Sequence, residues 1–138
     1  MTVSLQWWSP DGAEHAVEVE SVADVERVAA DAAGQFRSTT SAPGLELRRS
    51  DATEDNPASL SIAVADGRWA LVHTDSEMTQ HRTDSGGTGD GTHDVQWEEV
   101  TPLPSAWFVP LSEATAAVSE WIGSAVLPES VTWSDQTA

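Results

Sequence analysis

The chain has 138 residues, the size of one domain, so a tandem enzyme is excluded. Apolar residues make up 39 % with nine glycines beside them, ordinary for a packed globular domain and too many for a disordered chain. Asp and Glu number 23 against six Arg and no Lys, a formal charge of −17 that argues against direct binding of nucleic acid or an anionic membrane. Any charged macromolecular partner is expected to be basic. A salt-rich cytoplasm or a GC-rich genome produces the same acidity without a partner.

With no cysteine, there is no disulfide framework, no thiolate nucleophile and no sulfur-built metal site. Met1 to Trp8 lack a basic residue, and no run approaches eighteen apolar residues, so the sequence predicts a cytoplasmic protein without leader or membrane span.

Val3, Leu5 and Trp7 alternate with polar neighbours, and the alternation resumes at His15, Val17 and Val19 beyond Pro10-Asp11-Gly12, which predicts a β-hairpin. Ser21 and Asp24 resemble a capping box, and Val22, Val25, Val28, Ala29, Ala32 and Phe36 recur at helical spacing, so a helix is expected over 22–34 with Gly34 as its stop. A short strand follows at Leu45 and Leu47, then an exposed polar loop from Ser50 to Pro57.

Between Ser59 and His73, two alternating runs flank Asp66-Gly67, a pair suited to a type I′ turn. That register sets Val64 opposite Trp69, Ile62 opposite Leu71 and Leu60 opposite His73. The other face, with Ala63, Ala65, Ala70 and Val72, is too apolar for exposure, which predicts a central position in the sheet.

Residues 75–94 lack periodicity and contain Gly86, Gly87, Gly89 and Gly91, and so read as a flexible acidic loop. Two strands are expected around Val95 and Trp97 and around Trp107 and Val109, separated by Pro102 and Pro104. Ser112 then caps a helix whose stripe is Ala114, Ala117, Val118, Trp121 and Ile122, ending at Gly123. Val131 and Trp133 close the chain as an edge strand or packed tail. This order predicts a single α+β domain over 1–138, with a mainly antiparallel sheet and both helices on one face. Trp7, Trp69, Trp107, Trp121 and Trp133 belong to its core; Trp8 and Trp97 are less determined.

Catalytic signals are thin. Asp84-Ser85-Gly86-Gly87 matches the run around the nucleophile of trypsin-like proteases, but 138 residues cannot build two six-stranded barrels, and no histidine stands in the matching context. A small serine hydrolase using Ser85 is the minor alternative. The 86–91 run approaches a calcium nonapeptide, with its aspartate one position early and no repeat. His15, His73, His81 and His93 have no ligand spacing, and His73 fits the polar end of a core strand. No catalytic residue, metal or cofactor is therefore assigned.

The carboxy-terminal third has a more specific pattern: Trp97, Trp107-Phe108-Val109-Pro110-Leu111-Ser112-Glu113-Ala114, the helix through Trp121-Ile122-Gly123, and Leu127-Pro128-Glu129-Ser130-Val131-Thr132-Trp133. It resembles the first-numbered immunity-protein family of bacterial polymorphic toxin systems, over roughly residues 58–135. The resemblance implies a cytoplasmic, non-enzymatic α+β inhibitor that binds a cognate toxin domain, several relatives being paired with nucleic-acid deaminases or nucleases. The chain departs from many relatives in lacking Tyr after the central hairpin and in its Gly/Asp-rich stretch at 84–91.

A toxin acting on DNA or RNA must present a basic groove to phosphates, and a protein of charge −17 is suited to enter that field. The expected contact surface is Asp75, Glu77, Asp84, Asp90, Asp94, Glu98 and Glu99, with Trp97 as an apolar anchor. A DNA-mimic inhibitor of some other nucleic-acid enzyme shares the charge but calls for acids spaced along a regular face.

Overall fold

The computed structural model describes residues 3–49, 59–65, 67–74, 79–85, 91–97, 99–124, 128, 131 and 133–135. The first hairpin, β1 (Val3–Trp8) and β2 (Glu14–Val19), pairs antiparallel from Val3↔Val19 to Trp8↔Glu14. Its turn is built locally: Gly12 takes φ +85°, and the Asp11 carboxylate accepts from the Ser9 hydroxyl and the Ala13 N–H. Those hydrogen bonds, the Ser9 one foremost, hold the Asp11 carboxyl below its ordinary value of 3.8.

Helix α1 (Val22–Gln35) begins after an extended Ser21, as its sequence signature requires. The capping box itself does not form. The Ser21 side chain makes no cap bond, whereas the Asp24 carboxylate accepts from the Glu20 N–H at 3.0 Å and pairs with Arg27 at 2.6 Å. The same two contacts, the Glu20 amide first, lower the Asp24 carboxyl below its usual value.

Strand β3 (Ala42–Arg49) is longer than Leu45 and Leu47 alone suggested, because it pairs with β1 on one side and β4 (Ser59–Ala65) on the other. The hairpin of β4 and β5 (Arg68–Thr74) has the expected register, with Val64↔Trp69, Ile62↔Leu71 and Leu60↔His73, and Gly67 at φ +69°. Asp66 and the 50–57 loop lie outside the described residues.

The interval 75–94 is not one loop. It contains β6 (Gln80–Thr83), which extends the sheet from β5, and the start of β7 (Thr92–Gln96). Pro102 and Pro104 do not separate strands either; both lie inside β8 (Val100–Pro104), paired antiparallel with β7. A short 3-10 turn (Ser105–Trp107) leads to β9 (Phe108–Pro110), α2 (Leu111–Ser124) follows, and β10 (Trp133–Asp135) closes the edge against β6. Helix α2 starts at Leu111, one residue ahead of the expected Ser112 cap.

The sheet order is β10-β6-β5-β4-β3-β1-β2, with β9 added to β5 and the β7–β8 ribbon joined to β3. The β4–β5 hairpin is central, as its two apolar faces require. Every pairing is antiparallel except β3 with β7 at Ala42↔Val95 and Pro43↔Gln96. Both helices cover one face, where Val25, Ala29 and Ala32 of α1 and Ala114, Ala117, Val118 and Trp121 of α2 pack on Leu5, Leu47, Leu60, Ile62 and Leu71. The other face is closed by the ribbon and the 3-10 turn: Ala63, Ala70 and Val72 meet Val95, Leu103, Trp107 and Phe108.

Strand β5 has a forked partner. Its first half pairs with β9 and its second with β6. At the fork, the Leu71 N–H donates to the buried Thr83 hydroxyl at 2.9 Å, and that hydroxyl donates to the Trp107 carbonyl at 2.6 Å. Trp8 is buried at 7 % exposure, while Trp133 is half-buried, its ring edge against His73.

Candidate interaction surface

The β7–β8 ribbon is the element that turns the sheet's second face outward again. Val95 and Leu103 point inward and are buried, and the exposed His93 lies edge-on to Phe108 at 4.7 Å. By alternation Asp94, Gln96, Val100 and Pro102 point outward, with pairs Asp94↔Pro102 and Gln96↔Val100. Val100 is 50 % exposed and Asp94 and Glu99 are exposed, so an apolar centre stands between carboxylates.

The prolines fit β8 for a geometric reason. The Ser105 N–H donates to the Gly91 carbonyl, so 91 and 105 form a hydrogen-bonded pair, and strict alternation makes 92 with 104 and 94 with 102 non-bonded pairs. Proline at 102 and 104 therefore removes no ladder bond, because β8 is the outer strand of the ribbon. The period-two spacing of Val100, Pro102 and Pro104 was the signal in the sequence for this strand.

Two backbone contacts close the Gly-rich stretch at its base. The Ser85 N–H and hydroxyl both donate to the Ala106 carbonyl, at 2.8 and 2.9 Å, and Ser105 binds Gly91 beside them. The Ser85 hydroxyl thus serves as a backbone anchor. Half-buried Asp84 sits at one end of this base, and exposed Asp94 lies three residues past the other.

Trp97 follows β7 in a bend rather than a strand, its N–H donating to the Glu99 carbonyl. Its indole is half-buried, donates to the Leu45 carbonyl at 3.1 Å and lies flat on Gly44, where a Cβ would stand 2.5 Å from Nε1. Gly44→Ala is expected to cost about 1–3 kcal/mol by overpacking this contact, and much less in a Trp97→Ala background. Urea unfolding of the two single variants and the double variant measures that coupling.

Of the eight expected contact residues, Asp84, Asp94, Trp97 and Glu99 are described, and all four belong to the ribbon or its base; Asp75, Glu77, Asp90 and Glu98 lie outside the described residues. The sequence reading did not single out Val100 and Pro102, nor the cleft of about 840 Å³ beside the ribbon. Glu26 and Ala33 of α1, Arg37, Trp69 of the central hairpin, Asp94 and Leu111 all line that cleft.

Five of the six arginines have a named partner among the described residues. Arg27 pairs with Asp24 and Arg48 with Glu46, Arg49 donates to the Ile122 carbonyl, Arg68 to Phe108, and Arg82 stacks on Trp107 at 4.7 Å. Among the described residues no group of three potential ligands is placed to hold a metal, and no helix is long and apolar enough to cross a membrane.

Charge and contact area on a well-packed scaffold define a protein suited to binding another macromolecule. The family model of immunity protein Imm1 matches residues 13–135, and the chain belongs to that family of immunity proteins, whose role is to bind a toxin. No curated protein matches it. Among solved structures it is similar to a hypothetical protein from Neisseria gonorrhoeae, at 14 % identity over 95 % of this chain and 92 % of that one, with a TM-score of 0.48.

Proposed function

We propose that this protein neutralises a cognate polymorphic-toxin domain that acts on nucleic acid, a deaminase or nuclease, by covering its basic active-site surface. The inhibition is steric and electrostatic and needs no chemistry from the inhibitor. The contact surface is the acidic set Asp75, Glu77, Asp84, Asp90, Asp94, Glu98 and Glu99, of which Asp84, Asp94 and Glu99 lie on the ribbon or its base, with Trp97 as an apolar anchor.

The observation that carries this reading is the charge of −17 together with the exposed carboxylates Asp94 and Glu99 beside the exposed Val100 on the ribbon. A nuclease or deaminase groove that attracts phosphates attracts such a surface by the same field, and burial of the exposed Val100 and Pro102 adds short-range affinity. Protection of the producing cell places this encounter in the cytoplasm. Co-expression with the product of the neighbouring toxin gene, followed by size-exclusion chromatography, is expected to give one complex peak. Two separate peaks at micromolar concentration would overturn the reading.

A further inference from the structure

We propose that the outer edge of β2 is a strand-addition site, taking up an extended, basic segment of the toxin. The proposal rests on the toxin-binding reading and adds to it a place where backbone contacts form. Strand β2 ends the sheet on one side, and all of its residues but Val19 are exposed.

The hairpin turn fixes which backbone groups face outward. The Ser9 N–H donates to the Ala13 carbonyl at 2.9 Å, so 9 and 13 form a hydrogen-bonded pair. Alternation makes His15, Val17 and Val19 the bonded partners of Trp7, Leu5 and Val3. The N–H and C=O groups of Glu14, Ala16 and Glu18 therefore point away from β1. A further strand laid along this edge meets three alternate outward positions.

The side chains specify the occupant. Glu14 and Glu18 flank Ala16 on the face away from the helices, Glu20 follows, and β2 contains no Lys or Arg. On the helical side Val17 is 43 % exposed, an apolar contact for one residue of an incoming strand. Opposite Glu14 and Glu18, Lys or Arg is favoured and Asp or Glu is rejected. A second copy of this chain fits poorly: the antiparallel register that uses all three outward positions, centred on Ala16, sets Glu14 opposite Glu18 twice, and each copy carries −17.

The edge also adjoins the ribbon surface. Trp8 pairs with Glu14, and the β1–β3 register continues from Trp7↔Leu45 to place Trp8 beside Gly44, on which the Trp97 indole lies. Two strand spacings, about 10 Å, separate Glu14 from Gly44. One basic partner can therefore span both.

Backbone amide hydrogen exchange tests the proposal on the protein alone and in complex with the toxin domain encoded beside it. The amides of Glu14, Ala16 and Glu18 are expected to slow strongly in the complex while those of the β1-facing positions change little. Ala16→Pro removes an outward N–H without touching the β1–β2 ladder, and is expected to weaken the complex about tenfold with an unchanged thermal midpoint. A complex that forms with these three amides exchanging as fast as in the free protein overturns the strand-addition site and leaves the toxin-binding reading standing. Failure to form any complex overturns both. Protection of the same amides in the isolated protein, with a dimer mass, overturns the basic occupant in favour of a second copy.

Discussion

Exchanging Asp75, Glu77, Asp84, Asp90, Asp94, Glu98 and Glu99 together for their amides is expected to slow association with the toxin by about ten- to a thousandfold at low ionic strength. The fold should persist, since the described members of the set are exposed or half-buried and belong to neither hydrophobic core. Dissociation should change less, because long-range steering acts on the encounter and short-range packing acts on residence. The salt dependence of the association rate is the sharper reading: it should be steep for the natural protein and shallow for the variant. Stopped-flow kinetics at several ionic strengths measures both. Equal rates for the two proteins would remove the ribbon as the steering surface.

Thr83→Val is expected to be the most damaging small substitution for stability. Thr83 is fully buried, and its hydroxyl both accepts from the Leu71 amide and donates to the Trp107 carbonyl where β5 changes partner. Valine fills the same volume and leaves two buried backbone groups without a partner, at about 1–3 kcal/mol each, so a loss of about 2–6 kcal/mol follows. Thr83→Ser keeps the hydroxyl and gives up a methyl group, a cost of about 1 kcal/mol. Urea midpoints of the three proteins separate the hydrogen bonds from the packing. A valine variant within 1 kcal/mol of the parent would show that another group satisfies Leu71 and Trp107.

Local pattern disclosed much of this architecture. The Val64↔Trp69 register, the two-sided burial of the central hairpin and the α2 stripe all follow from side chains that must choose a face. What stayed hidden were elements defined by distant partners. Gln80–Thr83 has no alternation of its own and becomes a strand because β5 offers it an edge at Val72↔Arg82. Val100–Pro104 reads as a break until Gly91 and Ser105 set the phase in which its prolines need no donor. Trp97 could not be placed from its acidic neighbours, since its position depends on the missing side chain of Gly44, fifty-three residues earlier. The acidic set was legible as composition; the place of Asp84, Asp94 and Glu99 on a ribbon or its base was not, because Pro102 and Pro104 read as a break between strands.

Because the bonds from Ser85 to Ala106 and from Ser105 to Gly91 clamp both ends of the Gly-rich stretch, its length is decoupled from the packed sheet beneath. Doubling such a span raises closure entropy by only about 0.6 kcal/mol. Changes in length between Ser85 and Gly91 are therefore expected to cost little in folding stability.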